Sequence, residues 1–357
     1  MTAWMLYGAY GFTGRLVAEE AVAQGLQPIL AGRREDELAP LAAQLELPYR
    51  VFDLEDERAL AAEVAAVDLV LHVAGAHVHT AAPMRRACLK GKTHYVDIAG
   101  ELDVIETTFA CDAAARDAGV TLISGAGFDA IPMDCLARYV AKRLPEATEL
   151  EIAYASQGSP SAGTVKTALE QVPRGGFVRR QGRLVAQRLG RDVRQVRFSH
   201  GKLYTVMAIP SADLSLAYYS TGIGDISSYL AIPPRVARAG RWLLPVLERL
   251  LRVGAVRRIG QWLVDRIVSG PDAETRRTAQ TYVWARASTA DGLQREAWLE
   301  CVEAYRFTAQ ASLLVVTQVL ERQSVGALAP AQAFGADFVL QLPGSKRYDS
   351  LPQARTS

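Results

Sequence analysis

Short apolar runs recur through the first third of the chain, each followed by a polar or glycine-rich turn and then by a stretch of helical spacing. Ala3-Trp4-Met5-Leu6-Tyr7, Pro28-Ile29-Leu30-Ala31, residues 49–53, residues 68–74, residues 93–97 and Val120-Thr121-Leu122-Ile123 read as strands. Helices are expected over 15–22, after Arg34, and over 56–66, 80–90 and 103–118. This alternation predicts an α/β fold with a Rossmann-type, doubly wound parallel sheet. Ligands in such sheets bind outside the carboxyl ends of the strands, which is where His72, Gly75, His77, Tyr95, Asp97 and Gly125 should lie.

Past residue 128 the pattern changes. A helix over 131–143 ends at Leu144-Pro145, and Glu149 to Ala155 alternates as a half-buried strand. Residues 163–172 read as a helix, 193–198 and 204–209 as strands, and 281–287 with 294–302 as a hairpin around Ala290-Asp291-Gly292. Thr308 to Arg322 is a strongly apolar helix. Strands with few crossover helices imply a second, α+β domain with a mixed sheet. The expected division is a nucleotide-binding domain over 1–127 and a substrate domain over 128–330 with a helical insertion at 227–270. A segment over 331–357 is expected to return towards the first domain.

The turn after the first strand carries the most specific chemistry. Gly8-Ala9-Tyr10-Gly11-Phe12-Thr13-Gly14 stands between strand and helix with G-x-x-G-x-x-G spacing. Gly8 permits a sharp turn, Gly11 lets backbone N–H groups approach a pyrophosphate, and Gly14 lets the helix pack close to the strand. Tyr10, Phe12 and Thr13 belong to the same cofactor-binding turn, and the helix N-terminus offers partial positive charge. The second strand ends in Gly32-Arg33-Arg34, where many NAD-binding folds carry an acid for the ribose 2′-hydroxyl. Two arginines there favour a 2′-phosphate, hence NADP(H). Asp53 is placed to accept from the adenine amino group, and Ala74-Gly75 bends on the nicotinamide side.

The 357 residues, half of them hydrophobic, suffice for two domains, and a net charge of +2 gives no global argument for nucleic acid. Cys88, Cys111, Cys135 and Cys301 stand far apart, which fits isolated thiols in a reducing compartment. His77 and His79 have no third ligand in view, so no metal site is expected. G-x-S-x-G and P-loop motifs are absent. A first strand close to Met1 and the lack of a long uncharged apolar run predict a cytoplasmic protein, at most peripheral to a membrane.

The segment 235–268 stands apart. Leu243, Val246, Leu247, Leu250 and Leu251 form one helical stripe, and Val256, Ile259, Leu263 and Ile267 form another. Eight arginines face only Glu248 and Asp265 as acids. Three roles fit: two helices packed on their own domain, a cap over an apolar pocket, or contact with an anionic membrane.

Gly8–Gly14, Ala31-Gly32-Arg33, Thr93-His94-Tyr95-Val96-Asp97-Ile98-Ala99-Gly100-Glu101 and Gly127-Phe128-Asp129-Ala130-Ile131-Pro132-Met133-Asp134 resemble the saccharopine dehydrogenase-like oxidoreductases. The branch that includes trans-acting enoyl reductases of lipid biosynthesis looks closest. The likeness continues through Ser161–Thr164, Ile209–Asp213 and Ser220–Ile223 and ends with Thr317 to Gly335. It implies an NADPH-dependent reductase acting on a carbon–carbon double bond in a hydrophobic, acyl- or polyketide-type substrate. It also places the last apolar helix against the first domain. The family name admits C–N (imine) chemistry as an alternative. Relatives usually show Asn and then Ala-Gly-Pro-Phe where His72 and Ala74-Gly75-Ala76-His77 stand, which admits a third reading, a non-catalytic NADP(H)-binding partner or sensor. Reduction needs an acid near the atom that gains the proton. Asp97, His77 and Tyr95 are the candidates, with Asp129 and Lys166 behind them. The expected partner is a small lipophilic substrate. An acyl-carrying protein, a membrane met through 235–268 and a second copy of the chain are further candidates.

Overall fold

The computed structural model describes residues 3–322 and 324–352; residues 1, 2 and 323 and the 353–357 end of the C-terminal segment lie outside the described residues. Two compact units emerge, Met1–Asp129 with Tyr305–Ala333, and Ala130–Ala304 with Phe334–Ser357.

The first unit is the expected parallel sheet. Its strands are β1 (Trp4–Tyr7), β2 (Ile29–Gly32), β3 (Tyr49–Val51), β4 (Leu69–His72), β5 (His94–Asp97) and β6 (Thr121–Ile123), with the short strand Gly326–Ala327 added beside β6. From that added strand the order runs β6, β5, β4, β1, β2, β3. The chain winds outward from β1 through β2 and β3, then returns to β4 and winds the other way. The reversal between β1 and β4 is the switch point at which such sheets bind dinucleotides. Register sets Tyr7 beside His72 and His72 beside Asp97, so the loops leaving β1, β4 and β5 start level with one another. β1 and β4 are buried throughout, as interior parallel strands must be.

Residues 103–118 form two helices, Leu102–Phe109 and Asp112–Ala118. The second starts where the Asp112 carboxylate can take Ala327 N–H at 2.8 Å, which ties the added strand to the sheet. The helix expected over 80–90 begins earlier, at His77. The apolar helix Ala304–Glu321 supplies Thr308 Oγ1 to Phe128 N–H at 3.0 Å, and Tyr305 to an edge contact with Phe12 at 5.0 Å. The return to the first unit is thus made by residues 305–333. The segment expected to make it, 331–357, instead adds Lys346–Tyr348 to the second sheet, where Tyr348 donates to Glu300 at 3.1 Å.

In the second unit a mixed sheet runs Val193–Arg197, Leu203–Ala208, Asp225–Ala231, Glu149–Ser156, Gln280–Ser288, Gln294–Val302, Lys346–Tyr348. Only the pairing of Asp225–Ala231 with Glu149–Ser156 is parallel among these. A hairpin, Gly176–Arg180 with Arg183–Gln187, branches from it. Phe198, Tyr229, Tyr282, Trp284 and Trp298 pack one core. Because Asp225–Ala231 lies inside the sheet, the helical insertion starts at Pro234 and not at 227. It consists of Pro234–Leu251 and Gly254–Ile267.

Candidate active site

The three turn glycines have three different surroundings. Gly8 has φ +93°, and a Cβ there would stand 2.6 Å from Ala74 N, so β1 and the loop after β4 touch backbone to backbone. A Cβ at Gly14 would lie 2.2 Å from Gly8 O, which fixes how closely the first helix, Phe12–Ala23, sits on the turn. Gly11 has an ordinary φ of −66°, and a Cβ there meets only Gly8 O at 3.3 Å. That one contact is tight but far milder than at Gly8 or Gly14, which suits a backbone face kept open for a ligand. Gly11 is the N-cap of that helix, no side chain caps it, and its first turn holds no acid. The end is built to meet an anion.

At the end of β2 the Tyr10 ring lies against Gly32, where a Cβ would come within 2.4 Å of it. Arg34 stacks over that ring at 4.8 Å and pairs with Glu37 at 3.4 Å. Glu37 also takes Arg15 at 3.2 Å. Arg33 is exposed, and no ion pair of its side chain is seen among the described residues. Of the two arginines it is therefore the less committed. Asp53, after β3, accepts Glu55 N–H at 3.0 Å through one oxygen. Ala74 and Gly75 follow β4, on the far side of the switch point from Arg33.

The loops after β4, β5 and β6 bring acids and histidines together. His72 is fully buried, its Nε2 3.0 Å from Thr80 Oγ1 and 3.2 Å from Ala74 O. Since Thr80 Oγ1 also bonds Ala74 O at 2.7 Å, the network assigns the proton to Nε2. Burial and the neighbouring His77 push the His72 pKa well below its usual value, so the ring is neutral. His77 opens its helix and is buried as well. Its Nε2 donates to His72 O at 3.2 Å, and its Nδ1 stands 3.8 Å from Glu101 Oε2. Glu101, also buried, accepts His77 N–H at 3.2 Å and Gly100 N–H at 3.1 Å, placing a carboxylate on the uncapped start of that helix. Asp129 lies against Gly100, where a Cβ would stand 3.1 Å from its own. The Asp129 side chain meets solvent, but the surrounding walls strip part of its hydration. This desolvation, with the charge of Glu101, pushes its carboxyl up to about 6.

Asp97 and Tyr95 stand one step behind this rim. Asp97 Oδ2 accepts Tyr95 OH and Ser124 Oγ, each at 2.7 Å, and Oδ1 accepts Ala99 N–H at 2.9 Å and Gly125 N–H at 3.1 Å. Both residues are fully buried, and burial raises the Tyr95 phenol well above its ordinary pKa. The structure thus brings Ala74, Gly75, His77, Glu101 and Asp129 to one rim and sets Tyr95 and Asp97 beneath it. Glu101 is the residue that sequence reasoning did not single out; its signal was its place directly after Gly100 in the Asp97–Glu101 motif. Among the described residues no cluster fit for a metal exists.

Residues 4–123 match the family model described as the saccharopine dehydrogenase NADP binding domain. Over 181 residues the chain is 31% identical to the trans-acting enoyl reductase of Mycobacterium tuberculosis, a match covering 46% of this chain and 43% of that one. With the trans-acting enoyl reductase of Mycobacterium leprae it shares 32% identity over 138 residues, 36% of this chain and 33% of the relative. The chain thus aligns with less than half the length of these relatives. Saccharopine dehydrogenase (L-Glu forming) from Saccharomyces cerevisiae has the same fold, with a TM-score of 0.64 at 11% identity over 98% of this chain and 100% of that one. The resemblance read from the motifs therefore holds. Residues 4–123 thus resemble the NADP-binding domain of saccharopine dehydrogenases, and the Gly11 face and the uncapped helix start fit a pyrophosphate.

Proposed function

We propose that the protein is an NADPH-dependent oxidoreductase that reduces a carbon–carbon double bond in a lipophilic, acyl- or polyketide-type substrate. One observation carries the reading. The anion-ready glycine turn and the acidic rim of His77, Glu101 and Asp129 flank the switch point of a sheet whose residues 4–123 match an NADP-binding domain. The trans-acting enoyl reductases among its relatives support the choice of double bond.

In this reading Gly11, Phe12, Thr13 and Gly14 hold the pyrophosphate, Arg33 takes the 2′-phosphate, and Tyr10 keeps Arg34 stacked beside it. Asp53 meets the adenosine end, and Ala74 and Gly75 border the nicotinamide. Bound NADPH supplies the hydride; the protein must supply the proton. Asp129 suits that task, because a carboxyl raised to about 6 holds a proton over part of the neutral range while still facing solvent. Glu101 keeps that pKa raised and holds His77 and the helix start in place. Tyr95 and Asp97 are positioning residues, fixing the loops after β5 and β6.

The test is NADPH oxidation followed by absorbance across enoyl thioesters of increasing chain length, and across imines formed from amines and 2-oxo acids. Turnover that rises with chain length on the enoyl series is expected. Turnover confined to the imines would replace the reaction with the C–N alternative. Stoichiometric NADPH binding with no turnover on either series would leave the non-catalytic reading.

A further inference from the structure

The helices Pro234–Leu251 and Gly254–Ile267 each spend one face on their own unit. Leu244 and Gly240 sit against Gly190, and Ala237 and Leu251 are buried. On the second helix Arg257 pairs with Glu170 at 3.2 Å, Gln261 donates to the same carboxylate at 2.5 Å, and Gly260 rests on Leu169.

Their opposite faces are apolar and uncovered. Trp242, Leu243, Val246 and Leu250 are 73%, 63%, 52% and 51% exposed, and Ile259, Trp262 and Ile267 are 60%, 52% and 75% exposed. These positions recur at helical spacing, so they form continuous faces, not scattered side chains. Apolar faces of this extent mark an interaction site.

Charge identifies the occupant. Arg235, Arg238, Arg249 and Arg252 are exposed along one flank of the first helix, and Arg266 lies 3.9 Å over the Trp262 ring. The segment 235–268 sets eight arginines against two acids, although the side chains of Arg241 and Asp265 lie outside those described. An open hollow of about 560 Å³ is lined by Trp242, Pro245 and Val246 together with Arg188, Arg249 and Arg252, the last paired with Glu248 at 2.6 Å. Apolar and cationic side chains alongside one another match an acyl chain with an anionic headgroup. No helix among the described residues is long and apolar enough to cross a membrane, so the geometry is that of helices lying in the interfacial plane.

We propose that these two helices are a docking platform for an anionic lipid surface, with the arginine-lined hollow receiving headgroup phosphates. The inference is independent of the reaction proposed above. The test is co-sedimentation of the full chain with vesicles of phosphatidylcholine alone, or mixed with phosphatidylglycerol, at low and high salt. Binding should require phosphatidylglycerol and weaken with salt. Arg249→Glu combined with Arg252→Glu, checked for an unchanged circular dichroism spectrum, should weaken it about thirtyfold or more. Brominated acyl chains should quench Trp242 and Trp262, since Trp4, Trp284 and Trp298 are all buried. Quenching should disappear in Trp242→Phe combined with Trp262→Phe. Failure to bind phosphatidylglycerol vesicles at low salt overturns the proposal, as does binding without quenching. A salt-insensitive dimer seen by sedimentation, with no vesicle binding, would assign the faces to a second copy instead.

Discussion

Asp97 offers the sharpest separation between a reacting group and a positioning one. Its two oxygens accept four hydrogen bonds, two from hydroxyls and two from backbone amides. Behind it runs a buried chain in which Arg85 donates to Thr108 Oγ1 at 2.8 Å, Thr108 meets Ser124 at 2.8 Å, and Ser124 donates to Asp97. Arg85 is itself buried, so the chain joins two charged side chains through two hydroxyls. Asp97→Asn keeps one oxygen for the two amides but turns an amide group towards two hydroxyls that were donating. Charge-assisted bonds are worth about 1.5–3 kcal/mol against about 1 for neutral ones, so the change should cost about 2–4 kcal/mol, shared among the four bonds. Hydrogen exchange with mass spectrometry on peptides covering 94–128 reads this directly. Amide exchange there should rise about thirtyfold or more, by that free energy, with NADPH affinity little changed. If exchange and the urea midpoint stay at wild-type values while turnover collapses, Asp97 is acting on substrate and the positioning role is wrong.

The other predictions concern the cofactor and the proton. Arg33→Ala should cut NADPH affinity about tenfold to a hundredfold and leave NADH affinity near wild type, since one charge-assisted contact to phosphate is worth about 1.5–3 kcal/mol; equal wild-type dissociation constants for the two cofactors would refute it. Gly11→Val should fold normally and lose NADPH binding, because its Cβ meets only Gly8 O at 3.3 Å, whereas Gly14→Val should fail to fold, because its Cβ falls 2.2 Å from that same oxygen; normal NADPH binding by the Gly11 variant would show the turn is misassigned. For Asp129, a folded pKa raised above the ordinary 3.8 to about 6 means the native state holds a proton that the unfolded state has released between those values. Stability contributed by this group should therefore be present below about pH 4 and lost as pH rises through about 6, and turnover should fall over the same rise. Asp129→Asn should flatten both profiles; an unchanged turnover profile would exclude Asp129 as the donor.

Much of the first unit was legible because every strand but the exposed β3 is a largely buried apolar run and its helices carry clear spacing. β1 and β3 to β6 fall inside the runs that the apolar pattern marks, β2 runs one residue past its run to Gly32, and the ends move by a residue or two because backbone pairing is not encoded in the pattern. Three features were not legible, each for a physical reason. The hairpin Gly176–Arg180 with Arg183–Gln187 carries arginines in strand positions, and the guanidinium of buried Arg179 donates to Leu214 O, Gly182 O and Ser215 and lies over the Tyr218 ring. The strand Asp225–Ala231 starts with a charge and holds two adjacent buried serines, and Ser228 is satisfied by Asp213, which is distant in sequence. The insertion's stripes left three roles open, because apolar spacing reports a common face but not what covers it.

The rim after β4 shows why single departures from a family pattern mislead when taken one at a time. His72, in the place where relatives usually show Asn, looks in sequence like the loss of a functional group. In the structure its neutral ring gives a donor at Nε2 to Thr80 and Ala74 O, the bonds that any buried polar side chain there must make. The ring stacks on Tyr7 at 5.6 Å and tilts against His77 at 5.3 Å, so its volume is taken up within the same layer. His77 then closes on His72 O, and Glu101 closes on His77 N–H. The two departures are therefore one linked change. They hold Ala74 against Gly8, where no Cβ fits, and so keep the glycine turn and the acidic rim in register. The histidines show a rim held by a different set of bonds, with the carboxylates of Glu101 and Asp129 beside them.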